Sequence, residues 1–129
     1  MLKTQKNTRK QGDVGLGVAI SYFTSVGITV CVPLTDNQDY DLVIDNDGLK
    51  KVQVKTTYAK SKTGYYIATL KTCGGNKSRS TVKLFDPTKV DLLFVFTEDK
   101  SIYLIPTDEI TNVNTLTLST KYSQYLLGD

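Results

Sequence analysis

The chain has 129 residues and a mass of 14.3 kDa, which is the size of one domain and leaves little room for a second. Apolar residues make up 40% and charged residues 22%, which is typical of a folded globular protein and argues against a disordered tail. Histidine is absent, so Ser-His-Asp and Cys-His nucleophile systems and most zinc sites are excluded. The two cysteines, Cys31 and Cys73, are too few for a disulfide framework, and we expect both to be buried and reduced, as in a cytosolic protein.

The net charge is only +3, but the charges are unevenly distributed along the chain. Residues 49–85 contain nine basic side chains and no acidic ones, and the first ten residues add four more basic side chains. Just before this basic region lies an acidic stretch, which consists of Asp36, Asp39, Asp41, Asp45 and Asp47. This distribution predicts a positive surface for a polyanion beside a small group of carboxylates. The alternative is that the lysines only keep exposed strand faces in water.

The N-terminal part of the chain predicts an arm followed by a helix. Residues 1–10 are polar and basic, and we expect them to stay flexible until a partner binds. Leu16, Ile20 and Phe23 repeat with the spacing of one helix face. This helix is expected to start near Asp13 and to end at Gly27.

Residues 28–32 are β-branched and apolar and predict a buried strand that Pro33 ends. Residues 14–35 carry no charge, yet their hydroxyl-bearing side chains and three glycines argue against a membrane span or a signal peptide. A helix, a glycine and a strand explain the uncharged stretch better.

Two hairpins are predicted farther along. Residues 41–45 and 50–57 are strands joined by the turn signal Asn46-Asp47-Gly48, and residues 91–97 and 101–105 are strands that turn at 98–100. Between the hairpins, residues 65–71 predict a strand, and the glycine-rich residues 72–80 predict a mobile loop.

After the second hairpin, Thr107 is expected to cap a short helix that runs to about residue 113. Residues 115–129 predict an irregular segment with a last helical turn.

The first hairpin brings polar groups together. If Gly48 adopts the left-handed conformation in a three-residue turn, Asp41 lies opposite Gln53. Gln53 and Lys55 alternate with Val54, so they share one face of the strand. A carboxylate, an amide oxygen and an ammonium would therefore converge.

Such a set of groups suits phosphodiester hydrolysis. Mg²⁺ prefers oxygen ligands, which Asp41, Gln53 and the Val54 carbonyl offer, and takes the rest from water and phosphate. Lys55 beside it would hold the attacking water or neutralise charge on the phosphate. The alternative is a half-buried hairpin whose polar face is merely solvated.

Asp41 followed after eleven residues by Gln53-Val54-Lys55 resembles the PD-(D/E)XK nuclease signature in its glutamine variant. The wider chain, over roughly residues 10–112, resembles the branch that includes bacterial group I intron-associated (homing) endonucleases. The supporting segments, in chain order, are GDVG at 12–15, Val-Pro at 32–33, YDLVID at 40–45, VQVKT at 52–56, VDLLFVF at 90–96 and YLIP at 103–106.

The resemblance implies an α/β (α+β) fold with a restriction-endonuclease-like core, in which helices flank a central mixed β-sheet. Residues 1–129 would form a single domain, with residues 1–10 as a flexible arm. Asp41 would be a metal ligand, Gln53 would stand at the usual acidic position and Lys55 would be the catalytic lysine, with Mg²⁺ as the cofactor and Mn²⁺ able to replace it.

Two positions depart from the family pattern, and the first is Tyr40, which stands where the motif has proline. Many relatives carry a glutamate in the first helix, four residues after a glycine such as Gly12, and here that position is Leu16. Asp13 lies one turn earlier and either replaces this acid or leaves the site one carboxylate short. The expected metal ligands are therefore Asp41, Gln53, Val54 and Asp13.

The leading hypothesis is a metal-dependent DNA endonuclease that cuts both strands as a homodimer or homotetramer, in the cytoplasm of a bacterium or encoded by a phage. The expected contacts to double-stranded DNA are Lys6, Arg9, Lys10, Lys60, Lys62, Lys77 and Arg79. The alternatives are a Holliday-junction-resolvase-like nuclease, a catalytically inactive DNA-binding module on the same fold, and a structural protein.

Overall fold

The structure is a computed structural model that describes residues 6–74 and 81–128. It contains one long helix, α1 (Thr8–Ser25). Its strands are β1 (Thr29–Cys31), β2 (Leu42–Asp45), β3 (Leu49–Thr57), β4 (Ile67–Thr69), β5 (Thr72–Gly74), β6 (Thr81–Lys83), β7 (Leu92–Thr97), β8 (Ile102–Pro106), β9 (Thr115–Thr117) and β10 (Leu126–Leu127). Two 3₁₀ turns span Thr107–Glu109 and Thr120–Tyr125.

A six-stranded sheet in the order β1-β2-β3-β7-β8-β10 forms the centre of the molecule. The strands β3 and β7 run parallel, and the other neighbours run antiparallel. Both predicted hairpins, β2–β3 and β7–β8, are present. The central mixed sheet expected from the sequence is therefore confirmed.

The β2–β3 hairpin has the register that the turn signal predicts. Asp45 pairs with Leu49 and Val43 pairs with Lys51 across a three-residue turn. Both Asp47 (φ 53°) and Gly48 (φ 117°) have positive φ, so the turn uses two such residues rather than one. Because side chains alternate along a strand, this register decides which face each polar side chain of β3 takes.

The helix α1 covers one face of the sheet. Its N-cap is Asn7, whose side chain accepts the N–H groups of Arg9 and Lys10. Because the cap lies six residues before Asp13, residues 8–10 belong to the helix rather than to a flexible arm, and residues 1–5 lie outside the described part. Ala19 and Phe23 pack in a buried cluster with side chains of β2, β3 and β7. Within the described ranges, no helix is long and apolar enough to cross a membrane.

Strands and turns cover the opposite face, so helices flank only one side of the sheet in the described part of the chain. Ala68 of β4, Leu116 of β9 and Tyr122 of the second 3₁₀ turn pack against Leu93 and Val95 of β7. The predicted strand at 65–71 is the shorter β4, which pairs with β9 outside the central sheet. The C-terminal segment is thus more ordered than expected.

Other expectations for single segments are wrong. The strand expected to be buried at 28–32 is the edge strand β1, which pairs only with β2, and Cys31 on it is exposed and unbonded. The side chain of Cys73 lies outside the described part. Residues 72–74 of the expected loop form β5, which pairs with β6, and residues 75–80 are not among those described.

The helix expected from Thr107 to about residue 113 is only a 3₁₀ turn, Thr107–Glu109. The Thr107 side chain is buried and its hydroxyl donates a hydrogen bond to the Val90 carbonyl. Thr107 is the first residue of this turn and Pro106 stands at its N-cap position, so the Thr107 side chain does not cap it.

Candidate active site

Asp41 stands where β2 separates from β3. The pairing of the two strands ends at Leu42 and Val52. Beyond it, the Asp41 N–H donates to the Val52 carbonyl at 2.9 Å, and Asp41 Oδ2 accepts the Val54 N–H at 2.7 Å. The carboxylate therefore occupies the edge of β3 where the neighbouring strand has ended, and one main-chain and one side-chain hydrogen bond fix the position of Asp41.

Gln53 presents an oxygen atom without a partner. Its side chain is half-buried, and Oε1 is buried with no hydrogen bond to any of the described residues. Gln53 and Asp41 line the same cavity, which has a volume of about 230 Å³. Because an unpaired buried acceptor costs about 1–3 kcal/mol, an oxygen of this kind beside a carboxylate is typical of a site that binds a donor or a cation.

Lys55 lies one alternation beyond Gln53 on β3 and is half-buried. Burial lowers the pKa of its ammonium, and the negative charge of Asp41 partly offsets this. Partial burial raises the pKa of Asp41, although the residue stays open to solvent at the mouth of the cavity, and the Val54 N–H and Lys55 oppose the rise. Each charge shifts the other's pKa, so the structure brings the two groups near each other, but they form no ion pair within 4.0 Å in the described part of the chain.

The first helix borders the same carboxylate. A second cavity of about 240 Å³ is lined by Arg9, Gly12, Asp13, Leu16, Asp41 and Val54. Asp13 is exposed at this cavity, and Leu16 is half-buried where relatives carry glutamate. Among the described residues, no group of three or more His, Cys, Asp or Glu side chains is arranged to hold a metal ion. Asp13 thus reaches the neighbourhood of Asp41 without completing a carboxylate cluster.

Lys55 also faces a larger space. A cavity of about 510 Å³ lies between the first turns of α1 and the last residues of β3, and Thr8, Gly12, Lys55 and Tyr58 are among its lining residues. This cavity has room for a segment of a bound chain next to the ammonium.

The expected DNA-contacting residues occupy different places. Arg9 lines the cavity beside Asp41, Lys10 is exposed in the first turn of α1, and Lys6 is exposed just before that helix. The ammonium nitrogen of Lys60 lies 4.9 Å from the centre of the Tyr66 ring, and Lys62 is exposed in the same turn. Lys77 and Arg79 lie outside the described residues.

Two residues to which the sequence analysis gave no role in the site also line the cavity of Asp41 and Gln53. They are Asp39 and Lys83, which form an ion pair with each other. They are 44 positions apart, so no local spacing in the sequence could have revealed the contact.

The oxygen atoms of this site are of the type that a hard divalent cation binds. Asp41 supplies an anionic oxygen and Gln53 a neutral, unpartnered one, as Mg²⁺ requires when water and a substrate phosphate complete its shell. With a half-buried ammonium nearby, the arrangement can bind a phosphate, orient a water molecule and stabilise developing negative charge.

Comparison with known proteins supports the same chemistry. A family model described as PD-(D/E)XK endonuclease matches residues 6–124. The fold is similar to the solved structure of a bacterial homing endonuclease, I-Ssp6803I, with a TM-score of 0.73 and 28% sequence identity over 88% of this chain and 78% of that one. No protein with a curated function matches the chain.

Proposed function

The chain belongs to the PD-(D/E)XK endonuclease family, and on this basis we propose that it hydrolyses phosphodiester bonds of double-stranded DNA with the help of a divalent cation, Mg²⁺ or in its place Mn²⁺. The observation that carries the proposal is the meeting of Asp41, Gln53 and Lys55 where β2 leaves β3, with Gln53 Oε1 buried and unpartnered. The similarity to a homing endonuclease supports cleavage of both strands.

In this proposal Asp41 and Gln53 hold the cation, and the Val54 carbonyl and Asp13 are further ligands, with Asp13 acting in place of the acid that is missing at Leu16. The cation would supply positive charge to the phosphate and lower the pKa of a bound water. Asp13 and Asp41 line the same cavity, and Asp41 also lines the cavity that contains Gln53. This arrangement supports the joint use of the two carboxylates.

Lys55 acts on the attacking water and on the phosphate. Its ammonium donates a hydrogen bond that orients the water for attack at phosphorus, and its charge offsets the negative charge that builds up there. The water oxygen gives up a proton and forms the new bond to phosphorus, the bond to the leaving oxygen breaks, and that oxygen takes up a proton, so that one proton passes from water to the leaving group overall.

Cutting two strands requires two such sites. A chain of 129 residues covers little DNA, and a symmetric oligomer would supply a second active site facing the other strand. We therefore propose that the active form is a homodimer or a homotetramer.

The test of the proposal is Lys55→Ala. We expect cleavage of plasmid DNA in the presence of Mg²⁺ to fall by about 10²-fold or more, because removing one group that stabilises developing negative charge typically costs about 10²–10³-fold. DNA binding should persist, since many other cations contact the backbone.

The matched control is Lys51→Ala. Lys51 lies on the same strand, but its ammonium is near the Tyr40 ring and it lines none of the cavities described above. Its removal should leave cleavage near the wild-type rate. Full cleavage by Lys55→Ala would refute the assigned role.

Leu16 supports a second candidate function, a DNA-binding module that has lost catalysis. An apolar side chain borders Asp41 where an acid would complete the metal site. This alternative predicts tight DNA binding without cleavage in Mg²⁺ or Mn²⁺, together with a gain of cleavage in Leu16→Glu.

A further inference from the structure

A basic side chain lies at the cavity that Asp41 and Gln53 line. Lys83, the last residue of β6, is the only cation among the described residues lining it, whereas Asp39, Asp41 and Asp86 contribute three carboxylates. Hydrogen bonds from Thr88 are the main reason that the pKa of Asp86 lies below its usual value, with smaller effects from Lys89 and Lys83. A phosphodiester entering this cavity would therefore meet negative charge that needs compensation.

Lys83 is held at the mouth of the cavity but is not buried. Its ammonium pairs with Oδ1 of Asp39, and Lys89 lies 3.9 Å from Oδ2 of the same carboxylate. The side chain of Lys83 is 59% exposed and that of Asp39 is 26% exposed. Because an exposed ion pair contributes only about 0–1 kcal/mol, the ammonium can pass from the carboxylate to a phosphate at little cost.

From this geometry we propose that Lys83 is a substrate-binding residue that contacts a DNA phosphate next to the scissile one, and that its ammonium leaves the carboxylate of Asp39 when the phosphate binds. Asp39 lies two residues before Asp41, so the contact joins β6 directly to the segment that carries Asp41. The inference rests on the proposed function, because it assumes that the cavity of Asp41 and Gln53 receives a phosphodiester.

The experiment measures the affinity for a fluorescently labelled DNA duplex of mixed sequence at several salt concentrations, without divalent cations. Each neutralised phosphate contributes a slope of about −0.9 to the dependence of log affinity on log salt. We expect Lys83→Met to make this salt dependence less steep by the contribution of about one phosphate. Lys83→Arg, which keeps the charge, should retain the wild-type slope.

Two controls separate substrate contact from a structural role. Lys89→Met removes a cation of similar exposure, 57%, that also lies near Asp39 but does not line the cavity, so its slope should stay close to that of the wild type. Asp39→Asn breaks the same ion pair while keeping the ammonium of Lys83, and its slope should also stay unchanged.

Three results would overturn the assignment: a wild-type slope in Lys83→Met, equal losses in Lys83→Met and Lys89→Met, or an equal loss in Asp39→Asn. The proposed function is tested separately by incubating the wild-type protein with supercoiled plasmid and Mg²⁺ or Mn²⁺. Intact plasmid would refute hydrolysis, whereas the salt dependence would still show whether Lys83 contacts phosphate.

Discussion

Asp41 and Lys55 are charged groups whose ionisation the fold opposes. Burial raises the pKa of Asp41 and lowers the pKa of Lys55, and each charge only partly offsets the effect on the other. The folded protein therefore bears a free-energy cost for the charged form of each group.

The pH dependence of stability follows from the directions in which the pKa values of Asp41 and Lys55 are shifted. The folded state binds the Asp41 proton more tightly than the unfolded chain does, so the stability that Asp41 contributes is present below pH 3.8 and is lost as the pH rises through its raised pKa. Lys55 has a lowered pKa, so its contribution is present above pH 10.5 and is lost as the pH falls through that lowered pKa. Both costs are therefore present near neutral pH.

Lys55→Met should remove the free-energy cost of partly burying the Lys55 ammonium. We expect the free energy of unfolding at neutral pH to rise by about 1 kcal/mol or less, since solvent still reaches the side chain. Urea unfolding of both proteins between neutral pH and pH 10.5 should show the difference narrowing as the pH rises. A less stable variant at neutral pH would show that the Lys55 charge is stabilising, which contradicts this account.

For single residues, the strand pattern of the sequence was enough to predict that Asp41 and Gln53 lie near each other. A strand alternates its side chains and the turn at Gly48 sets the register, so local rules were sufficient. Lys83 and Asp39 were out of reach of such rules, because their contact depends on how β6 packs against a distant loop.

Among the elements, the contact of α1 with β3 decides how close the helix lies to the site. A Cβ added at Gly15 would lie 1.9 Å from Thr56 Oγ1 and 3.3 Å from Thr56 Cβ. Only a glycine allows the two elements to approach this closely. This close contact places Arg9 and Asp13 at the cavity that they line together with Asp41 and Leu16.

Two glycines of the same helix should therefore respond oppositely to alanine. Gly15→Ala should lower the free energy of unfolding by about 1–3 kcal/mol, because β-branched Thr56 cannot turn away without leaving another group in place. Gly17 has nothing within 4 Å of an added Cβ, so Gly17→Ala should raise the free energy of unfolding by about 0.5–1 kcal/mol.

Chemical denaturation of both variants checks this pair of expectations. Gly15→Ala combined with Thr56→Ala should regain part of the loss, since the second change removes the obstructing hydroxyl, which is itself buried without a partner. Equal stability of the two single variants would show that α1 does not approach β3 as closely as the structure indicates.

The elements that the sequence predicted correctly are those with local signals. Both hairpins have a turn between two strands, whereas β4 finds its partner β9 about 48 positions away. The helix expected after Thr107 is a single 3₁₀ turn in which Thr107 is the first residue rather than the cap, and its hydroxyl bonds to Val90 on a preceding segment.

Across the whole molecule, two buried clusters on opposite faces hold the sheet. One lies under α1 and the other under β4, β9 and the second 3₁₀ turn. The polar residues Asp41, Gln53 and Lys55 lie where β3 leaves its partner β2, and the basic residues that the sequence concentrates in two stretches surround this edge at Arg9 and Lys83. The charge distribution predicted a surface for a polyanion but not its position, which depends on the strand order.

The most direct test of the account is the selection of cleaved sites from a randomised DNA library in the presence of Mg²⁺, with the wild-type protein and Asp41→Asn compared side by side. The account predicts that cut fragments accumulate with the wild type, disappear when the cation is chelated, and are absent with Asp41→Asn although that variant still binds DNA. Cut fragments of the same kind and amount from Asp41→Asn, or none from the wild type in Mg²⁺ or Mn²⁺, would contradict it.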